Sequence, residues 1–387
     1  MKITKPCCVK LSFVASTALT CVASANAVAG GNTIQSGQNT ILITNQSAAT
    51  SGIDYANAQA LPLPQNLTQP TSQLDSLLDP QISTSAPPQA VPGNKGSGKL
   101  NPVTLVAPGA GALKALQTGD KVTPQEFGAT NHVYTTSRTN ATNNATTRYY
   151  PYRAAGKLWF KIGSSSYLCS ASLIKRGLIV TAAHCVANFG SKQSYSDWQF
   201  APGYDGGVAP YGVTTAKAAL ITSSYFNGTD SCAEPGIVCK NDVAVIVLNT
   251  TIGDSAGWFG YGANGYSYTN KQVMISQLGY PVGMDGGLSQ QRTDSQGYVS
   301  SAMSGNTVIG SLQNGGSSGG PWIVNLGMPP TLNGAGFGPA ATHNLVVGVT
   351  SWGYVSDTQK EQGASPFTSN NIVSLVKSAC AISPESC

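Results

Sequence analysis

Two patterns of polar and apolar residues divide this chain near residue 150. From Tyr150 onward, short apolar runs rich in β-branched residues alternate with clusters of Gly, Asn and Ser. The clearest are Leu178-Ile179-Val180, Val243-Ala244-Val245-Ile246-Val247-Leu248, Pro321-Trp322-Ile323-Val324 and Leu345-Val346-Val347-Gly348-Val349. Runs this short, bounded by turn formers, predict buried strands. One helix is predicted at the C-terminal end. There Ile372, Leu375, Val376 and Ala379 follow the i, i+3, i+4, i+7 spacing, with Ser369 or Asn370 available as N-cap. Before residue 150 the pattern is lost. From Val28 to about Asn144 the chain is rich in Asn, Gln, Ser, Thr, Pro and Ala, and Pro92-Gly93-Asn94-Lys95-Gly96-Ser97-Gly98 reads as a linker. This predicts a largely disordered region ahead of an all-β domain.

The extreme N-terminus adds an address. Lys2 and Lys5 precede an apolar run from Leu11 to Ala23, and Ala25-Asn26-Ala27 supplies small residues at a cleavage spacing. The run is short of the ~20 residues that cross a bilayer, so a removed export signal fits and a stable membrane anchor does not. The expected organisation is a signal at 1–27, a low-complexity pro-region or linker at 28–149, and a folded domain at 150–387. Charge changes this picture little. The net charge is +5, with 10% charged residues and no basic block interleaved with aromatics, so a nucleic-acid partner is not expected.

Of the nine cysteines, Cys7, Cys8 and Cys21 would leave with the signal. An even set of six in an exported chain predicts disulfides. Fifteen connectivities are possible, and proximity favours Cys169–Cys185, Cys232–Cys239 and Cys380–Cys387. A metal site is disfavoured, because the mature chain has no Cys-x-x-Cys pair and the histidines number 3. No cofactor is expected.

The chemistry concentrates in Gly315-Gly316-Ser317-Ser318-Gly319-Gly320-Pro321. Acyl transfer needs backbone N–H groups close beside a hydroxyl, and glycines on both sides of a serine allow so tight a loop. A serine hydroxyl needs a base, for which His184 in Thr181-Ala182-Ala183-His184-Cys185 is the candidate. Asp242, opening the apolar run 243–248, is the candidate to orient that histidine. Asp205, Asp230 and Asp254 compete by chain order, but none precedes a comparable run.

With Ser351-Trp352-Gly353 downstream, these segments in this order resemble the chymotrypsin/trypsin-like serine peptidases over roughly residues 150–380. The resemblance implies two antiparallel Greek-key β-barrels with a C-terminal helix. It implies a Ser318, His184, Asp242 triad, an oxyanion hole from the N–H groups of Gly316 and Ser318, and substrate pairing along Ser351-Trp352-Gly353. Cys169 and Cys185 take the family's positions around the histidine.

Departures refine the resemblance. Ser317 stands where an aspartate usually binds a new N-terminus, and no Ile-Val-Gly-Gly-like terminus lies near residue 140. Leu312 occupies the pocket position at which trypsin-like members carry Asp. Thr350 stands where glutamate-specific relatives carry His, and Asn314 replaces a pocket cysteine. The expected function is therefore a secreted, monomeric endopeptidase acting on protein or peptide substrates beside small or apolar neutral side chains. The alternatives are an inactive protease-fold binding module and a surface adhesion protein.

Overall fold

The computed structural model describes residues 33–35, 39–45, 52–61, 86–107, 132–140, 145–327, 342–354 and 359–387. The expected signal at 1–27 lies outside them. Twelve strands form two closed barrels of six. The first contains β1 (Ala155–Ile162), β2 (Ser165–Lys175), β3 (Leu178–Thr181), β4 (Ser196–Pro202), β5 (Thr214–Thr222) and β6 (Ala244–Leu248). The second contains β7 (Gln272–Gly279), β8 (Gln291–Ser300), β9 (Asn306–Gly310), β10 (Pro321–Val324), β11 (Leu345–Gly353) and β12 (Glu361–Pro366).

Both barrels close in the same order. The first runs β1-β2-β3-β6-β5-β4 and back to β1; the second runs β7-β8-β9-β12-β11-β10 and back to β7. All these pairings are antiparallel. This is the all-β class the strand pattern predicted and the two-barrel form the resemblance implied, and closure removes the open sheet edges that invite aggregation. The apolar runs became strands buried along their whole length, β3, β6, β10 and β11, because β-branched side chains suit a pleated surface covered by neighbours.

The predicted helix is α1 (Ser374–Ile382), entered through a wider π-type turn at Ser369–Val373. Ile372, Leu375, Val376 and Ala379 are all buried, as their spacing required. The cap is Thr368, one residue before the expected pair. Its hydroxyl accepts from the Asn371 N–H while the Asn371 side chain accepts from the Thr368 N–H. The extra residue in the entry turn moves the start back. The three disulfides are those that proximity favoured: Cys169–Cys185, Cys232–Cys239 and Cys380–Cys387.

Part of the polar N-terminal third lies outside the described residues. The described pieces pair with the barrels. Thr40–Thr44 adds to β5, Gln59–Ala60 runs parallel to β2, and Gln89–Val91 pairs with Gly260–Ala263. Val103–Thr104 pairs with Val208–Ala209, and Tyr134–Arg138 with β8. Backbone hydrogen bonding serves polar sequences as well as apolar ones, and a few buried anchors such as Ile41, Ile43, Ile53 and Leu61 suffice to hold them. Among the described residues, no helix is long and apolar enough to cross a membrane.

Candidate active site

Strand pairing brings His184 to Asp242. β3 and β6 are antiparallel neighbours, with Thr181 opposite Ala244. His184 lies three residues past the end of β3 and Asp242 two before the start of β6, so both leave the sheet at one end. The turn Ala183–Cys185 is tied to β2 through Cys185–Cys169. Asp242 is buried and accepts three hydrogen bonds. His184 N–H donates to Oδ1 at 2.8 Å, His184 Nδ1 to Oδ2 at 2.7 Å, and Ser351 Oγ to Oδ2 at 2.6 Å. A buried carboxylate needs such partners. The two bonds from one residue also fix the ring, leaving Nε2 as the nitrogen free for chemistry. Nearby, burial first, then the charges of Tyr167 and Asp242, pushes the Tyr195 phenol up to about 12, so it stays neutral.

The competing aspartates are engaged elsewhere. Asp254 pairs with Arg176, Asp230 holds Asn241, and Asp205 accepts from Asn140. His132 meets Glu361 and the Gln296 carbonyl.

Ser318 sits in the loop between β9 and β10. Gly316 has φ +99°, and a Cβ there would come within 2.5 Å of the Tyr280 carbonyl oxygen and 2.9 Å of Leu168 Cδ1. Only glycine fits. Neutral hydrogen bonds hold the loop. Ser317 Oγ donates to the Asn314 carbonyl at 2.7 Å, Val282 N–H to the Gly315 carbonyl at 2.8 Å, and Gly283 N–H to Asn314 Oδ1 at 3.0 Å. Asn314 thus braces the loop through its side-chain oxygen. The N–H groups of Gly316 and Ser318 donate to no described acceptor, so two donors flank the serine uncommitted. Ser318 Oγ is buried without a hydrogen-bond partner, and no bond joins it to His184. An unpaired buried hydroxyl costs ~1–3 kcal/mol, and Ser172, Tyr204 and Tyr225 carry others, so this state alone does not mark Ser318 as reactive.

Sequence reasoning missed Ser170. From β2 its N–H donates to the Ser318 carbonyl at 2.7 Å and its Oγ to the Gly316 carbonyl at 2.8 Å. Its own carbonyl accepts from Thr181 Oγ1 at 2.9 Å. One serine therefore joins the histidine barrel to the serine loop. Its only sequence signal was its place after Cys169, and that names no partner.

The remaining predicted residues divide. Ser351 reaches Asp242, as described. Trp352 is fully buried, with Nε1 donating to Asn306 Oδ1, and clusters with Ile237 and Val238 from the loop closed by Cys232–Cys239. Pairing of β11 with β10 ends at Val349 while pairing with β12 continues to Gly353, so Ser351–Gly353 has one strand neighbour. Thr350 turns inward, accepting from Gln277 Nε2 and Trp322 Nε1. Leu312 lies at the surface, 36% exposed. Leu312 and Thr350 thus differ in exposure, one at the surface and one buried. His, Cys and Asp atoms approach metal-binding distances at Cys169–His184–Cys185 and Asp230–Cys232–Cys239. Both groups contain a disulfide, whose sulfurs are not thiolate ligands.

The glutamyl endopeptidase of Bacillus licheniformis is 30% identical over 156 residues, 40% of this chain and 44% of that protein. An extracellular metalloprotease of Bacillus subtilis is 30% identical over 122 residues, 31% of this chain and 36% of that one. The chain thus spans less than half the length of these curated relatives. Among solved structures, the protease Anisep from Arthrobacter nicotinovorans is 24% identical, covers 59% of this chain and 96% of its own, and has a TM-score of 0.48. The trypsin family profile matches residues 140–373, which take in His184, Asp242, Ser318 and both barrels, and the chain belongs to the trypsin family.

Proposed function

We propose that this chain is an exported serine endopeptidase that cleaves peptide bonds through an acyl-enzyme on Ser318. Ser318 Oγ attacks the substrate carbonyl carbon while its proton passes to His184 Nε2. Asp242 holds the ring by Nδ1 and stabilises the imidazolium. The carbonyl oxygen, now negative, is met by the N–H groups of Gly316 and Ser318. Collapse breaks the C–N bond, and the leaving amine takes the proton from Nε2. Water then attacks the acyl group by the same relay and restores Ser318. Substrate binding has to bring Ser318 Oγ and Nε2 into hydrogen-bond contact, a tightening common in such sites.

The observation carrying this reading is the Asp242–His184 pair at 2.7 Å, one barrel away from a glycine-built loop in which the N–H groups of Gly316 and Ser318 meet no acceptor among the described residues. The segments Leu312–Gly315 and Thr350–Gly353 carry no charged side chain, which favours a small or apolar neutral residue before the cleaved bond. Residues 1–27 read as the export signal and 28–149 as a pro-region. Three disulfides suit an oxidising compartment. Latency would be steric. Gln59–Ala60 lies along Tyr167–Leu168, and a Cβ on Gly315 would sit 3.2 Å from Ala60 Cβ, so the segment borders the serine loop.

The test is labelling of the secreted protein by a fluorophosphonate. Wild type is expected to label and Ser318→Ala not to. Absence of labelling in processed wild type would favour the inactive binding module instead. N-terminal sequencing of the same sample locates the processing site, and cleavage of a peptide library reads the side-chain preference.

A further inference from the structure

The resemblance to trypsin-like peptidases implies an aspartate before the nucleophile, paired with a new N-terminus; this chain has Ser317 at that place, fully buried. A chain of amides lies behind it. Ser311 Oγ donates to Gln277 Oε1 at 2.7 Å, and Gln277 Nε2 donates to Gln362 Oε1 at 2.5 Å and to Thr350 Oγ1 at 2.8 Å. Gln362 Nε2 in turn donates to the Gln313 carbonyl at 2.7 Å and to Ser317 Oγ at 3.3 Å. Ser317 Oγ donates its own hydrogen bond to the Asn314 carbonyl at 2.7 Å. Each link is directional. Turning the Gln362 amide over would set its oxygen against the oxygen of Gln313 and its NH2 against that of Gln277. Gln277, Gln362, Ser317 and Thr350 are all at most 1% exposed, so water cannot replace a lost partner.

We propose that Gln362, braced by Gln277, is a positioning residue for catalysis, holding Ser317 and therefore the N–H groups and hydroxyl of the nucleophile loop. The inference rests on the reading of Ser318 as nucleophile. It touches no reacting atom itself. Its amide grips the loop at two points, Gln313 and Ser317, on the two sides of Gly315 and Gly316. The other ends of the chain lie on β7 and β11, strands of the second barrel, so the loop takes its position from the barrel wall. A charge-free brace of this kind is complete before any cleavage and needs no new N-terminus.

The experiment compares Gln362→Leu, Gln277→Leu and Ser317→Ala as full secreted chains, with rates normalised to sites titrated by a fluorophosphonate. Gln362→Leu is expected to lower kcat roughly ten- to a hundredfold, since displacements near 1 Å cost about that much. KM is expected to stay within about twofold of wild type. Gln277→Leu, one bond further away, is expected to lose less. Adding Gln362→Leu to Ser317→Ala is expected to cost less than adding it to wild type, because both act through one loop. Unchanged kcat per titrated site in Gln362→Leu, or losses that simply multiply, overturns the proposal. Should Gln362→Leu not fold, Ser317→Ala removes one hydroxyl only, and an unmoved kcat there overturns it equally. If wild type itself does not label, the nucleophile reading fails; if it labels while the variants keep its rate, only the positioning role does.

Discussion

The two barrels share one strand order but have different interiors. A continuous apolar cluster fills the first barrel, with Leu158, Phe160, Leu173, Val180, Phe200 and Val245, and extends into the second only at its facing side, through Leu278, Ile323, Val346 and Val349. The second has a smaller cluster, with Val273, Ile275, Ile309 and Trp322, beside buried Gln277, Thr293, Ser311, Gln313, Thr350 and Gln362. The difference matches what each barrel carries. His184 and Asp242 are fixed by a strand pair, a disulfide and three strong bonds to one carboxylate, so the barrel beneath needs only to be rigid. Ser318 rides on a long loop with no regular structure of its own. Apolar contacts are non-directional and fill space, whereas hydrogen bonds specify angle and register. The role proposed for that loop, presenting two N–H groups at one point, draws on the second kind.

Asp242→Asn breaks the first barrel's share of the site and has the largest expected effect. A reduction of kcat by about 10⁴ is expected, because the amide favours the wrong tautomer of His184 while the fold persists. Steady-state kinetics on titrated enzyme measure it; a drop below tenfold would remove Asp242 from the triad. Next in size, Ile246→Ala in the apolar barrel is expected to cost about 2–5 kcal/mol in denaturant unfolding, the range for emptying a packed core site. Thr293→Val in the polar barrel keeps shape but leaves Thr136 Oγ1, Gln313 Nε2 and Ser311 Oγ short of a partner. A cost of about 1–3 kcal/mol is expected. If the valine is tolerated freely, the polar interior is not a coupled network and the contrast between barrels collapses.

Per pH unit the smallest effect concerns Lys157, a fully buried residue on β1 of the apolar barrel. Its Nζ donates to the Gly287 carbonyl at 2.8 Å and lies 5.1 Å from the ring centre of Tyr204. Burial pulls its pKa from 10.5 down to about 7. Between about pH 7 and pH 10.5 the unfolded chain therefore binds more protons than the folded one, so stability rises with pH across that window. Below it both states are charged, the folded one at a penalty. The slope is at most about 1.4 kcal/mol per pH unit. Thermal unfolding of wild type and Lys157→Met over this range should show the rise in the first and a flatter curve in the second; parallel curves would mean that Lys157 is not the group responsible.

Much of the active barrel pair was legible before any coordinates. Short β-branched runs can be satisfied in few ways other than as buried strands, so β3, β6, β10 and β11 were readable as strands. The stripe from Ile372 to Ala379 fixed the helix for the same reason, while its cap at Thr368 was misplaced by one residue because a π-type turn leaves no mark in spacing. Cysteines seven or 16 apart closed on their nearest partners, since short loops lose least entropy on closure. The polar third was harder. Strands such as Gln59–Ala60 and Tyr134–Arg138 pair through backbone groups, which every sequence possesses, so composition could not announce them.

The sequence by itself determined the residue types and their order: a histidine after one apolar run, an aspartate before another, a serine among glycines. Those choices are local, because turn chemistry and strand propensity act over a few residues. Tertiary structure alone decided the partnerships. Ser351 went to Asp242, Ser170 to the serine loop, Thr350 inward to Gln277 and Trp322, and Leu312 out to the surface. A hydrogen bond across 109 or 146 residues depends on how the barrels close around each other, and no short stretch of chain encodes that distance.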